Sequence, residues 1–334
     1  MKALLYGALI INLITLFSCT PEQKKIIFQG QTQGTYYAVT YFDSKGRNFQ
    51  PQVDSILKAF DLSVSMWVPE SIISRINEGD SLVQPDDWFK DIFKRSLKIA
   101  ANTDGAFDFT VGPLVNAWGF GFKGKMKMDQ ARVDSLRQLV DYRTVRLEDG
   151  KIIKDKMNVK FDFNGIAQGY AVDVIGNFLS SKGIKNYLVD IGGEVYAKGV
   201  KPDGKSWLVG IENPASDSLS ERTINSTVKL LDKALSTSGS YRKYYEENGL
   251  RYSHTIDPKT GYPVRHNLLS VSVLANDCAT ADGYATAFMV MGYKKARDFV
   301  ENEPDLEAFF IIDAGTGTCQ TYATKGFEEI IEPQ

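Results

Sequence analysis

Histidine and cysteine are scarce in this chain, with two and three copies among 334 residues. Three cysteines, at positions 19, 278 and 319, cannot supply a disulfide framework. Cys278 and Cys319 are read as small buried hydrophobes that do not pair. An excess of positive charge is also missing. Lys and Arg total 39 against 41 Asp and Glu, a net charge of −2, so there is no basic footprint and nucleic acid is not expected as a partner. There is no long linker, low-complexity tract or internal repeat. What remains is the composition of an ordinary soluble protein, 43% hydrophobic and 24% charged, in a chain long enough to bury a substantial core.

Long apolar runs are absent except at the start, where Lys2 precedes ALLYGALIINLITLF. One basic residue, a short apolar stretch and a small residue at its end read as a secretory signal rather than a membrane span. Its ending, Leu16-Phe17-Ser18-Cys19, resembles a bacterial lipobox. That resemblance implies a signal peptide at 1–18, cleavage before Cys19, lipid on its sulfur and a lipidated tether over 19–27. One folded domain over 28–334 follows. The expected location is a bacterial membrane, with the chain anchored by lipid and facing the periplasm.

Apolar spacing predicts helices over 52–65, 86–105, 165–183 and 277–292. Gly105 and Gly183 are placed to end two of them. GTYYAVTYF, KNYLVDIGGEVYAKG, SWLVGIE, LLSVSVLA and EAFFIID read as extended segments. Strands adjoin one another as often as they alternate with helices. The class predicted is therefore α+β, with mixed, largely antiparallel sheets and packed helices. Residues 119–124 match GxGxxG, but Gly-Pro stands upstream and KGKMKMD follows as a poor helix start. This is a glycine-rich loop and not a Rossmann turn.

Several constellations could carry chemistry. Asp282 and Thr286 lie four apart on a predicted helix and share a face. Carboxylate and hydroxyl are hard donors, suited to Mg²⁺ or Ca²⁺ rather than zinc. FDFNGIAQGYAVD sends a predicted strand bearing Asp162 into a glycine-flanked helix start, where exposed amides suit an anion. Gly105-Ala106-Phe107-Asp108 could hold a planar heterocycle. Trp67 lies in SVSMWVPESIISRIN, and STSGSYR precedes YSHTIDPKTGYP, which contains His254. Each has an ordinary reading as a cap, a turn or a solvated face.

Their joint order is more specific. QTQGTYY, SVSMWVPESIISRIN, GAFDFTVGPLVNAWGFG, FDFNGIAQGYAVD, LVDIGGE, WLVGIENP, STSGSYR, SHTIDPKTGYPV and DCATADGYATA resemble, in order and spacing, the ApbE-like FAD:protein FMN transferases. The resemblance covers nearly all of the mature chain and implies that family's T-fold-related architecture. It implies a Mg²⁺-dependent enzyme that splits FAD, attaches FMN through a phosphoester to a Thr or Ser of an acceptor protein, and releases AMP. Acceptors in the family are extracytoplasmic domains of membrane redox complexes.

By the same resemblance, Asp282, Thr286 and the backbone carbonyl of Gly165 are metal ligands. Gln33, Trp67, Ala106, Phe107, Asp108, Asp162, Gln168, His254 and Ile256 contact FAD. Two positions depart from the family's frequent residues, Gln33 where Met is frequent and Gln168 where Lys or Glu is usual, while Trp67 keeps an aromatic where Tyr is frequent. A threonine hydroxyl is a weak nucleophile at neutral pH and needs a base. His254 is the side chain in these blocks suited to that task, whereas His266 is read as a surface residue. An FAD pyrophosphatase and a non-catalytic FAD-binding lipoprotein are the competing readings.

Overall fold

Strict alternation of buried and exposed side chains starts the fold as a hairpin. Strands β1 (Lys24–Thr32) and β2 (Thr35–Asp43) pair antiparallel around Gln33-Gly34. Both turn residues have positive φ, 50° and 72°, as a two-residue hairpin turn with the strands' own twist requires. In the computed structural model the described residues are 22–121, 124–214, 223–240, 244–247, 250–315 and 318–333. The signal peptide and Cys19 lie outside them. β1 begins inside the segment expected to be a tether, because Lys24–Ile27 pair with Thr40–Asp43 while Ile26 packs on the core.

Four helices follow: α1 (Gln50–Val64), α2 (Ile72–Glu78), α3 (Asp87–Asn102) and α4 (Gly112–Ala117). Next come α5 (Gln130–Arg137), the β3 (Val145–Glu148) and β4 (Lys151–Lys154) hairpin, and α6 (Ala167–Ser181). The extended segment 185–199 is a hairpin, β5 (Tyr187–Ile191) and β6 (Glu194–Lys198), folded at Gly192-Gly193. Strands β7 (Trp207–Glu212), β8 (Ile224–Leu230), β9 (Lys233–Gly239), β10 (Tyr244–Glu247), β11 (Leu250–Ser253) and β12 (Leu268–Ala275) come next. The chain closes with α7 (Cys278–Met291), α8 (Tyr293–Val300), β13 (Glu307–Asp313), β14 (Cys319–Ala323) and α9 (Lys325–Glu328).

Eight strands form one sheet in the order β1-β2-β5-β6-β9-β12-β13-β14, and every described neighbouring pair is antiparallel. The expected α+β class with antiparallel sheets is therefore what the chain adopts. Both faces of this sheet are covered. Tyr187, Val189, Val271, Val273, Phe310 and Ile312 face a large core shared with α1, α3, α6 and α7. Val195, Leu235, Leu274, Phe309 and Ile311 face a second core closed by Trp207, Val228, Leu230 and Phe327. Burial on both sides is why EAFFIID reads as a continuous apolar run.

The helix ends follow the expected chemistry. Asp86 accepts from the Phe89 amide at 2.8 Å, and Asp277 accepts from that of Thr280 at 3.0 Å. α3 stops at Asn102, and Gly105, at φ 73°, donates to Ala100 O at 2.8 Å. Gly183, at φ 82°, donates to Ser180 O beyond α6. α6 is also locked to α7. Asp173 accepts from the amides of Cys278 and Ala279 at 2.8 and 2.9 Å, and burial pushes its carboxyl up to about 7. Gly169 lets the helices meet: a Cβ there would lie 2.3 Å from Cys278 O and 2.7 Å from Asp282 Cβ.

One reading changes with the structure. Asp162 rides on an extended segment rather than a strand. Its neighbours bond irregularly, with Phe161 and the Asn77 side chain exchanging two hydrogen bonds, and Asp162 N donating to Phe109 O at 2.7 Å. Gly119–Gly121 follow α4, and among the described residues no helix opens between there and Gln130, so the non-Rossmann reading holds. Cys278 and Cys319 are both free, and no helix among the described residues is long and apolar enough to cross a membrane.

Candidate active site

One cavity of about 500 Å³ opens at the edge of the helical layer, and all twelve site residues expected from the sequence line it. Gln33 comes from the first hairpin, and Ala106, Phe107 and Asp108 from the turn after α3. Asp162, Gly165 and Gln168 come from the approach to α6 and its first turn. His254 and Ile256 lie on the loop before β12, Asp282 and Thr286 on α7, and Trp67 just beyond α1. Trp67 is 61% exposed and stands at the rim.

Two copies of Phe-Asp-Phe, at 107–109 and 161–163, build one wall. Phe109, Phe161 and Phe163 anchor both segments in a ring cluster with Phe89 and Phe93, at centroid distances from 5.2 Å. Anchoring the flanking rings fixes the two intervening aspartates. Asp108 is spent on its own turn: Oδ1 accepts from the Thr110 amide and hydroxyl, and Oδ2 from the Tyr142 amide. Among the described residues, Asp162 accepts from the Asn164 amide, and burial pushes its carboxyl up to about 6.

The three expected metal ligands converge. Thr286 Oγ1 donates to Gly165 O at 3.3 Å, and Asp282, one turn before Thr286, accepts from the Gly169 amide at 3.0 Å through Oδ2. The space is tight, since a Cβ on Gly165 would lie 3.0 Å from Thr286 Oγ1 and 3.2 Å from Phe107 Cε2. A carbonyl, a hydroxyl and a carboxylate in this arrangement suit a small hard cation such as Mg²⁺.

His254 is held by its loop. Gly261, at φ 78°, donates to Asp257 O at 2.8 Å, and Lys259 N donates to Asp257 Oδ1 at 2.9 Å. Trp118 Nε1 donates to Gly261 O at 2.8 Å, and Ile256 packs with Leu114, Trp118 and Val133. The small α4–α5 unit therefore clamps the histidine loop from outside. His254 meets the Phe120 ring edge-on at 6.4 Å. His266 is exposed and donates from Nε2 to Met289 O at 2.6 Å, away from the cavity, as expected.

Among the lining residues that sequence reasoning did not assign are Asp61, Phe120 and Glu194. Phe120 comes from the GxGxxG decoy. Glu194 ends LVDIGGE, where an acid directly after the Gly192-Gly193 turn was the available signal. Glu194 and Asp282 each lie 3.5 Å from Ser236 Oγ. Burial pushes both carboxyls upward, and Asp282 pushes Glu194 further as a neighbouring like charge. The cavity thus holds five acids, Asp61, Asp108, Asp162, Glu194 and Asp282, while no described lining residue is Lys or Arg.

This sheet-and-helix scaffold around an acidic, aromatic-walled cavity defines a class. Residues 33–310 match the ApbE family, and the chain belongs to that family. It is 33% identical to the FAD:protein FMN transferase of Vibrio cholerae over 96% of this chain and 97% of that one. It is 35% identical to the enzyme of the same name in Escherichia coli strain K12, over 91% and 89%. Among solved structures, the flavin transferase ApbE from Vibrio cholerae aligns with a TM-score of 0.82 at 32% identity, covering 92% of this chain and all of that one. The apo flavinyl transferase ApbE of Pseudomonas stutzeri aligns at 0.83 with 34% identity, over 92% and 97%.

Proposed function

We propose that this chain is an FAD:protein FMN transferase that requires a divalent cation, Mg²⁺ by the character of its ligands. The hydroxyl oxygen of an acceptor Thr or Ser attacks the FMN phosphorus. A phosphoester bond forms, the diphosphate P–O bond breaks, and AMP leaves. His254 takes the hydroxyl proton, held in place by the turn through Gly261 and the Trp118 clamp. Asp282, Thr286 and the Gly165 carbonyl would hold the cation, which would neutralise charge on the diphosphate. Phe107 and Trp67 offer aromatic faces to the flavin, and the orphaned Gln33 Nε2 a donor.

The observation that carries this reading is the charge of the cavity. Five acids line it, with no described Lys or Arg. A substrate whose bridge bears two negative charges binds in such a site only with a cation supplied from outside the chain. Incubation with FAD, Mg²⁺ and an acceptor domain is expected to yield an acceptor whose flavin fluorescence survives denaturation, together with one AMP per flavin attached. Free FMN and AMP with an unlabelled acceptor would establish a pyrophosphatase instead. Intact FAD would leave only a binding protein.

The acceptor is an extracytoplasmic domain of a membrane redox complex, and the enzyme reaches it from a lipid anchor on Cys19 at the periplasmic face. The basic residue, apolar run and Leu-Phe-Ser-Cys ending support this location. A labelled fatty acid fed to producing cells is expected to enter the parent chain and not the Cys19→Ala variant. An unlabelled parent chain would overturn the anchor.

A further inference from the structure

We propose that Glu194 is the second carboxylate of the cation site, facing Asp282 across Ser236. This rests on the cation dependence proposed above and adds a residue to it. Glu194 is 8% exposed, and its Oε2 is buried without a hydrogen-bond partner. A carboxylate is costly to bury uncompensated, and an orphaned acceptor in a native site marks a missing partner. Its other oxygen has a 3.5 Å contact with Ser236 Oγ, which stands equally far from Asp282 Oδ1. One hydroxyl proton cannot serve both acids at once.

The placement is built into the backbone. Gly192 and Gly193 turn at φ 68° and 110°, and Gly193 N donates to Asp190 Oδ1 at 3.0 Å. β6 then leaves the turn in a register that pairs Val195 with Leu235, bringing Glu194 opposite Ser236. A Cβ on Gly192 would lie 2.9 Å from Gln168 Nε2 and 3.3 Å from Glu194 Oε2, so glycine leaves these side chains their space.

Charge completes the argument. The three ligands expected from the sequence carry one formal negative charge, that of Asp282, against a divalent cation. Glu194 supplies the second before any diphosphate enters, and no described Lys or Arg lines the cavity to pair with it instead. The role is that of a hard oxygen donor, as in other carboxylate-rich Mg²⁺ and Mn²⁺ sites.

The test is Mn²⁺ binding to the full-length chain in detergent without FAD, followed by the loss of the free-Mn²⁺ paramagnetic resonance signal. The parent is expected to bind one Mn²⁺ and Asp282→Asn to lose it. Glu194→Gln should bind at least ten-fold more weakly, and Glu194→Asp, which keeps the charge on a shorter arm, should fall between. Glu194→Gln should melt no lower than the parent without Mn²⁺ yet gain less from its addition, which separates lost ligation from lost folding. Parent-like affinity in Glu194→Gln, beside loss in Asp282→Asn, would remove Glu194 and leave the cation reading intact. No Mn²⁺ binding by the parent would overturn both.

Discussion

Replacing Asp282 with asparagine is expected to lower FMN transfer by roughly 10²–10³-fold, since a cation's stabilisation of transferring phosphate is worth several kcal/mol. The substitution is nearly isosteric. Its amide oxygen can still accept from the Gly169 amide, 3.0 Å from Oδ2 in the parent, so α6 and α7 keep their contact and the fold survives. Only the charge is lost, at the one acidic position among the three expected ligands. The Mg²⁺ concentration for half-maximal rate should rise with the loss of rate, because weakened cation binding and slowed transfer have one cause. Steady-state FMN transfer measured across a Mg²⁺ titration checks both, and an unchanged Mg²⁺ dependence would remove Asp282 from the ligand set.

The second large effect is expected at His254. His254→Ala should reduce kcat by about 10²–10⁴-fold, the range typical of a positioned general base, with a much smaller change in the KM for FAD. Added imidazole should recover part of the rate, because the truncation leaves space beside Phe120 where the ring stood. This readout separates proton transfer from loop packing, as a collapsed loop would not respond to imidazole. The loop itself is independently held, by the Trp118 bond to Gly261 O and the burial of Ile256. An undiminished rate in His254→Ala would sink the assignment.

Much of this site was legible in one dimension because its parts are local. Alternation disclosed β2 and β12, Asp86 and the two C-terminal glycines bounded their helices, and Asp-Pro-x-x-Gly announced the rigid turn behind His254. Asp282 and Thr286 share a face by helical spacing alone. Glu194, Asp61 and Phe120 were not legible, because each acquires its place only through a partner distant in sequence. Glu194 meets Ser236 and Asp282 from 42 and 88 positions away. Asp162 shows the same limit. Its segment looked like a strand, but its backbone groups are satisfied by Asn77 and Phe109 rather than by a ladder.

The amino-acid order by itself determined the class of fold, the local caps and turns, and the types of side chain that line the cavity, since these follow from neighbours within a few residues. Only the tertiary structure decided that five carboxyls would share one cavity, with no described Lys or Arg on its walls. That arrangement comes from long-range strand register and from helix packing at Gly169. It bears on the proposed function because like charges brought together out of water favour protonation or a bound cation.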